Sequence, residues 1–224
     1  MNAVNVITDP ARLSALKRLM LLDTPSEAAF DRLTQLVSKI LGTPISLVTL
    51  IDADRAFFKS TFGVPKSVTE VPLSYSLCQY VVATGDPLVA SDARENDMLK
   101  DNKAVTEWNV IAYLGMPLKT SDGMDLGSFC VLDNKPRAWT EHDIEIVREL
   151  AFSVMTEIEL RAQVAARAAA ELSLAAYNRQ LRRVTEFCNI TLEQMADSIQ
   201  RGTDLQELRV YVSRARGELK RLND

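Results

Sequence analysis

The sequence predicts an α+β domain with a largely antiparallel sheet, followed by a long α-helix and a helical hairpin. Three observations carry this. Helical periods alternate with short β-rich runs through the first half of the chain. Two apolar runs, at about 110–119 and 124–132, flank Ser121-Asp122-Gly123, a strong hairpin signal. From Thr140 onward the pattern is helical throughout.

Each element has its own local reason. Asp9-Pro10 combines a capping aspartate with a proline at the first helical position, and starts a short helix to about Arg18. Thr24-Pro25 repeats the signal. Phe30, Leu33, Leu36, Val37 and Ile40 then recur at three- and four-residue steps up to Gly42, a helix stop. Pro44 to Ile51 is β-rich and almost wholly apolar, as expected of a central strand buried on both faces. Asp52-Ala53-Asp54 is a turn, and Arg55–Phe62 is the strand paired back across it. Leu77–Ala83 is a short helix, Pro87–Ser91 a third strand, and Ala104–Trp108 a short helix in a polar stretch. Thr140 caps the next helix, with Asp143 as its partner.

The predicted helical C-terminal region begins near residue 161, after a first domain over 1–160. Residues 162–176 are Ala-rich and strongly helix-forming. Leu174, Tyr177, Leu181, Val184, Cys188, Thr191, Met195 and Ser198 step as a heptad seam. Gly202 ends that helix, and Thr203 with Gln206 forms a capping-box pattern for the next. Leu205, Leu208, Val212, Ala215, Leu219 and Leu222 continue in the same rhythm. Two striped helices joined by a short turn pack antiparallel, and a homodimer forming a four-helix bundle is the natural way to bury both seams; the alternative is a tail folded back onto the first domain of its own chain.

Composition narrows the function. The chain has 224 residues, 47% hydrophobic and 25% charged, enough for one medium domain plus an extension. No stretch approaches the roughly 18 apolar residues of a membrane helix, and the N-terminus lacks a secretory pattern. Three widely spaced cysteines, Cys78, Cys130 and Cys188, suit reduced thiols in a cytoplasmic protein and form no metal-ligand cluster. The net charge of −4 divides into −7 over residues 1–160 and +3 over 161–224. The small tail excess, poor in aromatics, is a solvated helical face and not a nucleic-acid interface. With 8 glycines and no phosphate-binding loop, nothing points to a nucleotide hydrolase.

Several motifs from about Leu13 to Arg161 together resemble the GAF domain family, in the subgroup found before bacterial histidine kinases and cyclases. They are Leu22-Asp23-Thr24-Pro25 with Phe30-Asp31, Ile45-Ser46-Leu47-Val48, Phe58-Lys59-Ser60 and Pro72 through Cys78. Pro87-Leu88-Val89 with Ser91-Asp92, Ala112-Tyr113 with Gly115-Met116-Pro117-Leu118, Leu126 through Cys130, and Pro136 through Thr140 complete the match. The resemblance implies a sheet with helices on one face and a ligand cavity on the other, roofed by the loops around 70–78 and 92–109. It also implies dimers joined by long helices. The Asn-Lys…Phe-x3-Asp-Glu signature of cyclic-nucleotide-binding members is only partly present: Trp139 replaces Phe and Ile144 replaces Glu. Lys135 is expected to pair with Asp143 as a structural clip.

Bilin attachment needs a Cys, usually before a His, near the helix preceding the hairpin; residues 100–111 hold neither. The single histidine, His142, lies in the first turn of the output helix, so histidine-ligated haem is not expected either. The tail resembles a kinase dimerisation hairpin but has no phosphoacceptor His. Some relatives reduce free methionine sulfoxide with cysteines. Cys78 matches one of their positions, near a helix start that stabilises a thiolate, but their catalytic position, in the roof, has no Cys here.

The expected function is therefore non-catalytic signalling. A small molecule or redox state is sensed around Phe58, Ser76, Cys78, Asp92, Tyr113, Met116 and Cys130, which combine apolar walls with a few polar groups. The shift passes through the 124–132 strand into the long helix. The alternative is a ligand-free adaptor whose C-terminal helices bind a signalling partner, such as a kinase, response regulator or sigma-factor regulator.

Overall fold

A computed structural model describes residues 6–202 and 205–223. Contacts divide the chain into two units, with the boundary after Gln163.

The first unit opens with α1 (Pro10–Arg18), where Asp9 accepts from the Ala11 N–H at 2.9 Å. α2 (Ala28–Leu41) follows, closed by Gly42 at φ 65°, a left-handed cap that favours glycine. α2 starts later than Thr24-Pro25 suggests. The Thr24 hydroxyl donates instead to the Leu21 carbonyl at 2.6 Å, and the helix is preceded by an extended Glu27. Then come β1 (Ile45–Ile51), β2 (Arg55–Phe62), β3 (Glu70–Pro72), a 3-10 turn (Leu73–Tyr75), α3 (Cys78–Thr84), β4 (Leu88–Ala90), α4 (Lys103–Thr106), β5 (Ala112–Lys119) and β6 (Asp125–Asp133). β3 has no alternating apolar pattern, so it carries no sequence signal; it exists because β2 offers it an edge.

The sheet has six strands in the order β3-β2-β1-β6-β5-β4, every neighbouring pair antiparallel. β1 and β6 form its centre, buried along almost their whole length. Gly127 makes that pairing possible, because a Cβ there would overlap the Thr49 carbonyl. One sheet face packs on α1, α2 and the start of α5 (Glu141–Gln200) through Phe30, Val37, Val48, Leu50, Phe129, Val147, Val154 and Ile158. The opposite face carries α3, α4 and the loops between them, packed on Leu47, Ile51, Tyr113, Cys130 and Leu132.

The β6–α5 junction is held from two sides. Thr140 and Asp143 exchange hydrogen bonds, Thr140 N–H to Asp143 Oδ2 at 3.0 Å and Asp143 N–H to Thr140 Oγ1 at 3.1 Å, the expected capping box. Asp143 is thereby used, and no ion pair joins it to Lys135 among the described residues. Arg137 is the clip instead. Its backbone N–H donates to Ser91 O at 2.9 Å, its guanidinium lies 3.5 Å from Asp133 and donates to Leu41 O, and it stacks 4.9 Å over Trp139. Trp139 Nε1 in turn donates to Ala90 O at 3.1 Å.

In the second unit, the remainder of α5 and α6 (Leu205–Asn223) line a common apolar groove of about 400 Å³, with Cys188, Thr191 and Met195 on one side and Val212 and Ala215 on the other. These are predicted seam residues. Thr203 of the expected capping box, and the side chains of Leu205, Leu219 and Leu222, lie outside the described residues. Leu172, Leu174, Tyr177, Ile190, Leu192, Ile199 and Val210 are exposed within this unit.

Candidate functional site

Beneath the roof of the second sheet face is a cavity of about 130 Å³. Its floor is Ile45 and Leu47 of β1, Phe58 of β2, Tyr113 of β5 and Leu132 of β6. Its walls are Val64, Val68 and the stretch Tyr75 to Cys78, and its far side is Ala104, Trp108 and Val110. Every lining residue is apolar or neutral. The Tyr75 and Trp108 rings meet at a centroid distance of 4.5 Å at the rim, and Trp108 is half exposed. Asn102 braces this roof: it caps α4 by accepting from the Ala104 N–H at 2.9 Å, and its amide donates to Ser76 O at 3.4 Å.

Strand alternation decides which expected residues reach the cavity. Phe58, Ser76, Cys78 and Tyr113 line it. Cys130 lies on the same face, fully buried directly behind Cys78, with the two sulfurs 3.6 Å apart. Met116 does not join them. It is three residues from Tyr113 on one strand, so it points to the opposite face, into the core between sheet and helices. Asp92 also lies apart. It sits in the turn after β4, accepting from the Arg94 backbone N–H at 3.0 Å and pairing with the Arg94 guanidinium at 2.6 Å, which holds its carboxyl below the usual range.

A small polar nest surrounds the thiols. The Tyr113 hydroxyl donates to Cys78 Sγ at 3.4 Å and lies 3.2 Å from the Ser128 hydroxyl. The Tyr113 ring folds over Gly115, where a Cβ would overlap it, so the glycine is what lets the phenol reach the thiol. The hydroxyls of Ser76 and Thr49 are buried beside Cys78, which they interact with. The contact from Cys130, with help from the Tyr113, Thr49 and Ser76 hydroxyls, draws the Cys78 thiol below its ordinary value, while burial pushes Cys130 and Tyr113 well above theirs. Thr49, Ser128 and Asn102 were not legible as site residues. Polar positions in an apolar strand, or an Asn before a helical turn, are the faint signals they leave.

Among the described residues no three His, Cys, Asp or Glu side chains group as metal ligands. None of the described helices is long and apolar enough to cross a membrane.

The GAF domain sequence model matches residues 25–158. A Pseudomonas aeruginosa protein named a cyclic di-GMP phosphodiesterase is 29% identical over 150 residues, 66% of this chain; the chain spans a quarter of that relative's length. Among solved structures, the GAF domain of an Acinetobacter phosphoenolpyruvate-protein phosphotransferase aligns with TM-score 0.53 at 15% identity, covering 70% of this chain and 98% of that one. The GAF domain of PixJ from Thermosynechococcus elongatus aligns with TM-score 0.51 at 16% identity, covering 75% and 98%. Free methionine-R-sulfoxide reductase from Neisseria meningitidis aligns with TM-score 0.50 at 18% identity, covering 71% and 89%. At these identities the likeness is one of fold.

Proposed function

We propose, for a chain that belongs to the GAF family, that residues 1–160 are a cytoplasmic, non-catalytic sensor of a small molecule or redox state and that residues 161–224 relay its state as part of a homodimer. The observation that carries this is the cavity itself. It is closed on most sides, neutral throughout, and has one hydroxyl, Ser76, and one thiol, Cys78, facing it. A ligand's polar atom would find hydrogen-bonding groups in these two side chains. The cavity floor includes β6, and β6 runs through the Arg137–Trp139 clip into α5. A change at the floor therefore has a short covalent and packed route to the helix.

Dimerisation is supported by the second unit's exposed apolar side chains, of which Leu174 and Tyr177 are about 60% exposed. A two-helix hairpin leaves such a face bare, and a second copy would cover it.

The alternative, an adaptor that holds no ligand and binds a signalling protein through its C-terminal helices, is favoured by one number. The cavity is well below the 300 Å³ at which ordinary ligand pockets begin. Native mass spectrometry of freshly purified protein, compared with its denatured mass, tests both readings. A dimer carrying a non-covalent adduct is the expected result. An empty dimer transfers the function to the adaptor reading, and an empty monomer overturns the relay.

A further inference from the structure

Cys78 and Cys130 are not packed like two independent small core residues. Their sulfurs are 3.6 Å apart, a contact one step from bonding. Only Cys78 faces the cavity; Cys130 stands behind it with no exposure. Around the pair are four hydroxyls, from Thr49, Ser76, Tyr113 and Ser128, in an otherwise apolar layer. A packing role explains the sulfurs but not the hydroxyls, two of which are buried against the Cys78 thiol.

We infer that Cys78 and Cys130 form a two-electron redox site, in which hydrogen peroxide, small enough to enter the cavity, oxidises the pair to a disulfide that staples α3 to β6. This deepens the redox half of the reading above and shares its cavity, but requires neither a resident ligand nor a dimer. In the first step the Cys78 thiolate attacks one peroxide oxygen. The S–O bond forms, the O–O bond breaks, and the departing hydroxide takes up the proton that Cys78 gave up, leaving as water. In the second step Cys130 attacks the Cys78 sulfur. The S–S bond forms, the S–O bond breaks, and the hydroxide leaves as water with the Cys130 proton. Two thiols and one peroxide become one disulfide and two waters.

The geometry assigns the order of attack. The thiol that faces the cavity and accepts the Tyr113 hydrogen bond reacts first, and the one behind resolves. The lowered thiol of Cys78 and the raised one of Cys130 agree with that division. Bonding needs the sulfurs to approach by about 1.5 Å. The cavity also sets the oxidant. About 130 Å³ is roughly four water volumes, which admits hydrogen peroxide and excludes glutathione disulfide.

The test uses the full chain with Cys188→Ser, which removes the half-buried third thiol. The protein is treated with hydrogen peroxide or glutathione disulfide, denatured, alkylated and weighed intact. Peroxide is expected to remove two hydrogens and both alkylatable thiols within one chain. Glutathione disulfide is expected to leave both free. Cys78→Ser should lose the reaction, and Cys130→Ser should stop at a sulfenic acid trapped by dimedone. In the unmutated chain, Cys78 should be consumed at least tenfold faster than Cys188, a comparison that needs no variant to fold. Thiols that survive peroxide, a bond between two chains, equal rates for Cys78 and Cys188, or equal reaction with glutathione disulfide would each overturn the proposal. Absence of a ligand or dimer in native mass spectrometry would leave these outcomes unchanged.

Discussion

Lys59 is the residue whose surroundings differ most from its chemistry. It is fully buried in β2, on the helix side of the sheet, and ion-paired with Glu27. Its ammonium also donates to Thr24 Oγ1 at 2.6 Å and Pro25 O at 2.7 Å, and lies 5.9 Å over the Phe30 ring. A bulge puts it there. Val48 opposes Ser60 while Thr49 opposes Phe58, so Lys59 is the extra residue and the alternation is broken at that point. Phe58 can therefore face the cavity while both Lys59 and Ser60 face α2. Glu27→Ala would strand a buried charge and is expected to cost about 3 kcal/mol, read as a lower urea midpoint at unchanged slope. Adding Lys59→Met should recover most of that loss, since an apolar chain of similar length needs no partner; a double variant as unstable as Glu27→Ala would refute this account. The motif Phe58-Lys59-Ser60 was visible in the sequence, but the bulge that gives its three side chains their directions was not. The same limit explains Met116. Counting alternation from Tyr113 puts the two residues on opposite faces of β5.

Elements were more legible than sites. β1, β2, α1 and the β5–β6 hairpin follow from runs whose apolar period, caps and turns agree with one another. β3 and the roof over the cavity do not, because they are held by contacts with distant chain: β3 by the β2 edge, Ser76 by Asn102. The start of α5 is the element where local signal and tertiary role coincide. Thr140 and Asp143 satisfy each other's backbone at the point where the sheet hands over to the helix. Thr140→Ala is expected to destabilise by about 1 kcal/mol and to raise amide exchange in the first turn after residue 140. If only exchange beyond Gln163 rises, the cap is not what anchors this end.

For the whole molecule, the exposed apolar side chains of the second unit are its clearest unmet demand. Leu181, in the predicted seam and 46% exposed, is a suitable probe. Leu181→Glu is expected to weaken self-association at least a hundredfold by sedimentation, with the thermal transition of the first unit unchanged. Unaltered association would overturn the placing of the proposed dimer contact on this seam. The sheet order has a further consequence, for the time at which the molecule comes into being. β1 ends at Ile51 and its central partner β6 begins only at Asp125. On the ribosome, the β1–β2 pair is finished long before β6 emerges, and the apolar edge of β1 must wait with its hydrogen bonds open. Closing a pairing of such long sequence separation is slow and exposes an aggregation-prone edge meanwhile. Synthesis rate and chaperone supply, more than final stability, should then govern how much of this chain reaches its folded state.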